Sequence, residues 1–114
     1  MNKRKIGIKN EEKAINYLIE KNYKIITKNY SNEFGEIDII CISKLNILVF
    51  VEVKYSKSGI IDPIYKLNNK KLSNIKNTSN KFINMYNYNS YQVQYDYIGI
   101  INKKLEHYEN IINF

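Results

Sequence analysis

Gly35-Glu36-Ile37-Asp38-Ile39-Ile40 and, a short polar turn later, Ile47-Leu48-Val49-Phe50-Val51-Glu52-Val53-Lys54 decide what this chain becomes. The second stretch is apolar on both faces, as expected of a strand in the middle of a sheet. Glu52 and Lys54 interrupt it, and because side chains alternate along a strand, both share a face with Leu48 and Phe50. A lone ion there is costly unless it is paired. Asp38 is embedded in the same way, and strict alternation puts it with Glu36 and Ile40. If the two segments are neighbouring strands, Asp38 and Glu52 lie side by side. Two carboxylates at close range repel unless a proton or a cation stands between them.

Working outward, Lys9 to Asn22 has helical spacing through Ala14, Ile15, Leu18 and Ile19. Tyr23 to Tyr30, Glu36 to Ser43 and Asn46 to Tyr55 read as a meander of three strands. Ser56 to Pro63, with the chain's single proline, reads as a surface loop. Asn69 to Tyr86 again has helical spacing, and Tyr91 to Ile101 and Leu105 to Ile112 read as closing strands joined by a turn at Asn102-Lys103. The predicted order is αβββαββ: an α/β domain with helices on the faces of a five-stranded mixed sheet.

The length of 114 residues suits one domain, 1–114. A hydrophobic fraction of 44% with 25% charged residues is that of a globular chain. No apolar run approaches the roughly 20 residues that span a bilayer, and the basic start Met1 to Lys5 lacks the apolar core of an export signal. A single cysteine, Cys41, excludes an internal disulfide framework and points to a reducing cytoplasm. Cys41 alternates with Ile37 and Ile39, which suits a small buried hydrophobe. The net charge of +7 points to an anionic partner, nucleic acid first, although a general excess of Lys, Asn, Ile and Tyr gives the same charge without any such partner.

At about 100° per residue, the apolar side chains of the first helix have a mean direction within roughly 10° of Glu11, so Glu11 points inward and Glu12 outward. A plain alternative for Glu11 is a carboxylate near a helix N-terminus, favoured by the macrodipole. For Glu52 and Lys54 the plain alternative is a structural ion pair at a strand end. Taken together, Glu11, Asp38, Glu52 and Lys54 are the parts of a phosphodiester-hydrolysing site. Asp38 and Glu52, with Glu11 directly or through water, offer the oxygen-rich ligation that suits Mg²⁺ or Mn²⁺. Lys54 orients the attacking water or stabilises charge at phosphorus.

At these residues the chain resembles the PD-(D/E)XK nuclease superfamily, whose core strand carries an acid, one intervening residue and a lysine; Glu52-Val53-Lys54 matches that element. The order Glu11, Asp38, Glu52-x-Lys54 is similar to that of archaeal Holliday junction resolvases. More narrowly, nearly the whole chain resembles the YraN family of small bacterial proteins, through Gly7-x-x-x-Glu11-x-x-Ala14, Gly35-Glu36-Ile37-Asp38, Phe50-Val51-Glu52-Val53-Lys54, Lys71, Tyr95-Asp96, His107 and Asn110. The resemblance implies a restriction-endonuclease-like fold and divalent-metal-dependent cleavage of DNA, in branched or single-stranded substrates. It also implies a homodimer on two-fold-symmetric junctions, or a protein partner in DNA processing. Asn10, Tyr55 and Gln94 depart from the family pattern, which favours Gly at the first position and Arg at or near the other two. Tyr and Gln replace a bidentate donor only weakly.

Lys71, near the start of the second helix, and Tyr55 are the expected nucleic-acid contacts; a solvated lysine is the alternative for Lys71. His107, the only histidine, reads as structural. Asp96 either sits beside the site or holds a loop through backbone hydrogen bonds. The rivals to a nuclease are a nucleic-acid-binding protein without activity and an adaptor in DNA processing.

Overall fold

The computed structural model describes residues 3–56 and 69–112, and of residues 3–6 the backbone alone. The elements follow the expected order: α1 (Lys3–Glu20), β1 (Lys24–Asn32), β2 (Gly35–Ile42), β3 (Leu48–Ser56), α2 (Asn69–Met85), β4 (Val93–Ile101) and β5 (Lys104–Tyr108). The strands lie in the sheet in chain order. β1, β2 and β3 form the antiparallel meander, β4 runs parallel to β3, and β5 returns antiparallel along β4. The parallel step is the one that needs a long crossover, and α2 lies within it. Of the surface loop expected at Ser56 to Pro63, everything after Ser56 lies outside the described residues.

The central strand is apolar on both sides because each side meets a helix. Val49 and Val51 join Ile39, Cys41, Ile98 and Ile100 beneath Ala14 and Leu18 of α1. Leu48 and Phe50 join Ile40, Tyr95 and Ile112 beneath Ile75 and Phe82 of α2. Each fully buried aliphatic side chain stabilises the fold by about 1.5–3 kcal/mol, so the two clusters hold β3 rigidly in the middle. Cys41 is a buried hydrophobe as expected, and burial pushes its thiol up to about 12. Among the described residues no helix is long and apolar enough to cross a membrane.

Asparagine does the turning in this chain, using its tolerance of the left-handed region. Asn22 and Asn87 have φ of 68° and 67° just past α1 and α2. At both, the next residue donates back into the helix, Tyr23 to the Leu18 carbonyl and Tyr88 to the Ile83 carbonyl, as in a Schellman stop. Asn102 and Lys103 both have positive φ, the requirement of the tight hairpin turn expected there.

Two boundaries differ from the sequence expectation by more than two residues. α1 begins at Lys3 rather than Lys9. Hydrophobic spacing reports packing rather than helicity, and around Gly7 little packs: a Cβ there would meet nothing within 4 Å. β5 ends at Tyr108 rather than Ile112. Asn110 turns the chain with φ 54°, and Ile111 donates to the Tyr95 carbonyl, so Ile112 buries in the α2-side cluster instead of extending the strand.

Candidate functional site

β2 and β3 part company where the acids sit. Their backbone pairing runs from Ile42 with Leu48 to Ile39 with Val51, and one further step at that register sets Asp38 against Glu52. There a side chain replaces the ladder: Asp38 Oδ2 accepts the Val53 N–H at 2.8 Å, satisfying an amide beyond the last paired residue. Strict alternation also fails at this point, because Ile37 packs on the α2 side and Ile39 on the α1 side. On β1, the residue between the partners of Ile39 and Ile37 is Asn29, with φ 53°. Asp38 still lies with Glu36 on the α2 side, as alternation expects, and there it stands beside Glu52.

Asp38, Glu52 and Lys54 from the sheet, with Lys71, Asn74 and Thr78 from α2, line an open cleft of about 300 Å³. Burial is the first reason both carboxyls are raised. Burial pushes Asp38 up, as do Glu11 and Glu36, against the Val53 N–H and Lys54. Glu52 is pushed up to about 7 by burial and by Asp38, with Lys54 and Lys71 opposing. Between described residues the ion pairs within 4 Å are Lys81 with Glu33 and His107 with Asp96. Glu52 and Lys54 are thus not a closed structural pair, and Lys54 acts on both acids across the cleft.

Glu11 lies on one stripe of α1 with the fully buried Ala14 and Leu18 and is itself half-buried, while Glu12 is exposed. It sits well inside a helix that starts at Lys3, too far from the first turn for the macrodipole to explain it. Its charge instead falls on Asp38.

The donor set fits a hard divalent cation: two half-buried carboxylates, both raised first by burial, with Asp38 oriented by one backbone amide and water able to enter from the cleft. Among the described residues Glu11, Asp38 and Glu52 do not bring three ligand atoms within 4.8 Å of one another. The fit is therefore to two protein carboxylates with water in the remaining positions, and Glu11 acts from farther away. Lys71 lines the cleft. Tyr55 is exposed and, one step from Lys54 along β3, faces away from it.

A second polar network joins Asp96 and His107, which the sequence singles out only separately. Asp96 is 1% exposed. Its Oδ1 accepts from Gln94 Nε2 at 2.9 Å and from the Asn110 N–H at 3.0 Å. Its Oδ2 accepts from His107 Nε2 at 2.7 Å, and His107 Nδ1 is 3.1 Å from the Tyr17 hydroxyl. Asp96, His107 and Glu109 bring ligand atoms within 4.8 Å, but every oxygen of Asp96 is engaged in tying β4, β5, α1 and the C-terminal segment together. Of the two roles open to Asp96, holding the chain is the one the geometry displays. Gln94 points its amide at this carboxylate. The signal in the sequence was an acid inside the apolar strand Val93–Ile101; its partners are too distant along the chain to read.

Comparison with known proteins gives the family. The model of the uncharacterised protein family UPF0102 matches residues 10–100. A UPF0102 protein of Fusobacterium nucleatum is 34% identical over 98% of this chain and 94% of its own length. Another, from Fervidobacterium nodosum, is 43% identical over 89% of this chain and 77% of its own length. A third, from Carboxydothermus hydrogenoformans, is 37% identical over the full length of both. With both acid-bearing strands inside the matched region and relatives aligned nearly end to end, the chain belongs to the UPF0102 family.

Proposed function

We propose that the protein is a divalent-metal-dependent endonuclease that hydrolyses DNA phosphodiester bonds in the Asp38–Glu52 cleft. The observation that carries this reading is the meeting of two half-buried carboxylates on diverging strands, both raised by burial, with an ammonium across from them and the cleft open to solvent. Perturbed groups in a cleft are candidates for chemistry.

Asp38 and Glu52 would hold Mg²⁺ or Mn²⁺, which supplies neutralisation of the phosphate and acidification of a water molecule. Lys54 then orients that water and stabilises the charge that develops on the phosphoryl oxygens. Lys71 binds a neighbouring phosphate from the α2 side, and Glu11 holds water at the edge of the site. Val53, by fixing Asp38 through its amide, keeps the carboxylate aimed without cost at the moment of reaction. Branched or single-stranded DNA is the substrate class this reading favours.

The test is a panel of labelled duplex, flap, junction and single-stranded DNAs with Mn²⁺ or Mg²⁺. Cleavage by the native chain should fall at least about 100-fold in Lys54→Ala, as when one preorganised stabilising donor is removed, and be abolished in Asp38→Asn and Glu52→Gln with DNA binding retained. Equal cleavage by Asp38→Asn and Glu52→Gln would reject the site, and binding without any cleavage would favour a DNA-binding protein without activity.

A further inference from the structure

The β1–β2 hairpin tip is pinned against α2 by three contacts. Asn32 Nδ2 donates to the Thr78 carbonyl at 3.2 Å. Lys81 pairs with Glu33. Gly35, with φ 151°, passes so close that a Cβ would meet Thr78 Oγ1 at 3.1 Å, a passage suited to glycine. The turn itself is closed by the Phe34 N–H donating to Asn32 Oδ1. This rigid support presents an aromatic side chain to solvent: Phe34 is 43% exposed. It stands opposite Met85, 59% exposed, across an open cleft of about 540 Å³ whose rim is Asn77, Asn80, Lys81 and Asn84.

The same helix face leads to the acidic cleft. Gly35 and Glu36 line one cleft and Phe34 the other, while α2 contributes Lys71, Asn74 and Thr78 to the first and Asn77, Lys81 and Met85 to the second. At 1.5 Å per residue the two groups of α2 positions are about 10 Å apart along the axis, a span within reach of a few nucleotides of one strand. α2 carries no acidic residue, and of its lysines Lys71 lines the first cleft and Lys81, paired with Glu33, the second. Lysines and amides leading to a fixed aromatic suit an unpaired nucleotide strand: phosphates to ammonium groups, a base to the ring. A protein partner fits less well, since the apolar part of the patch is two side chains within a polar rim.

We propose that the Phe34–Met85 cleft is a nucleobase subsite, in which one unpaired base of a DNA strand stacks on Phe34 a few nucleotides from the phosphate held at Asp38 and Glu52. The assignment rests on the nuclease reading for its polarity and gives that reading a substrate requirement: an unstacked strand near the point of attack.

The chain contains no tryptophan, so Phe34→Trp installs a unique reporter. The probes are an oligothymidine of about 10 nucleotides, within the usual 4–16-nucleotide footprint, and a blunt duplex of equal length. Binding of each is followed independently by anisotropy of a labelled strand. The expected result is indole quenching by oligothymidine that saturates together with the anisotropy, and no quenching by the duplex. Phe34→Ala should weaken oligothymidine binding roughly 5- to 100-fold, the range of one base–aromatic stack, and leave the duplex within twofold. Oligothymidine binding with a silent indole and an unaffected Phe34→Ala would overturn the subsite while leaving the carboxylate cleft standing. A change in self-association alone on Phe34→Ala, read by sedimentation, would make the patch a protein interface and also overturn it. Absence of any DNA binding by anisotropy would remove the nuclease reading and the subsite with it.

Discussion

Glu52 shows how one side chain couples stability to chemistry. Its carboxyl is ordinary in the unfolded chain, near 4.5, and pushed up to about 7 in the fold by burial and Asp38. Between those values the folded protein holds a proton that the unfolded chain has released. Its contribution is therefore fully present below about 4.5 and is lost as the pH rises through about 7. In metal-free buffer, urea unfolding should show the native chain losing about 2–3 kcal/mol more than Glu52→Gln between pH 4.5 and 7.5. Parallel pH profiles for the two would mean that Glu52 is not strained by its surroundings. Glu11, Asp38, Glu52 and Lys54 were legible because each breaks a local pattern: an acid on an apolar helix stripe, or a charge on an apolar strand face. The pattern could name them but not their spacing. Alternation places Asp38 with Glu36 and Ile40, and it lines the cleft with Glu36 on the α2 side, where Ile40 also packs; what alternation could not show is that its carboxylate, not the backbone, takes the hydrogen bond from Val53.

At the scale of elements, the β4–β5 pair and the hook after β5 are both secured by Asp96. Asp96→Ala would strand the Asn110 N–H and the His107 imidazole in a site without water, at a cost of about 2–4 kcal/mol. Hydrogen exchange should show residues 109–112 losing protection first, with protection of the β1–β2 hairpin kept. Uniform loss across the sheet would contradict the role of Asp96 as a local clasp. This network illustrates what sequence withholds. His107 meets Asp96 through the β4–β5 register and Tyr17 across the whole chain, contacts that no window of neighbouring residues contains. The five strands and two helices, by contrast, announced themselves through local spacing, and their errors fall at ends. α1 continues past its packed stripe to Lys3, and β5 stops where Asn110 adopts a left-handed turn.

At the scale of the molecule, the described residues form a sheet clamped by two helices, and β2 and β3 diverge where Asp38 and Glu52 sit. An excess of 18 basic over 11 acidic residues is the charge that, on the proposed function, draws phosphate from a distance. The fold's purpose in this account is to hold Asp38 and Glu52 together closely enough that a divalent ion binds the native state and not the unfolded one. Thermal unfolding at pH 7.5 with and without Mn²⁺ tests this most directly, comparing the native chain with the double variant Asp38→Asn/Glu52→Gln, which keeps the Asp96–His107–Glu109 cluster intact. At a hundredfold excess over its dissociation constant the ion should stabilise the native chain by about 2.7 kcal/mol, raising Tm by about 10 °C, and leave the double variant unmoved. An equal rise in both, or no rise in the native chain, would contradict the account.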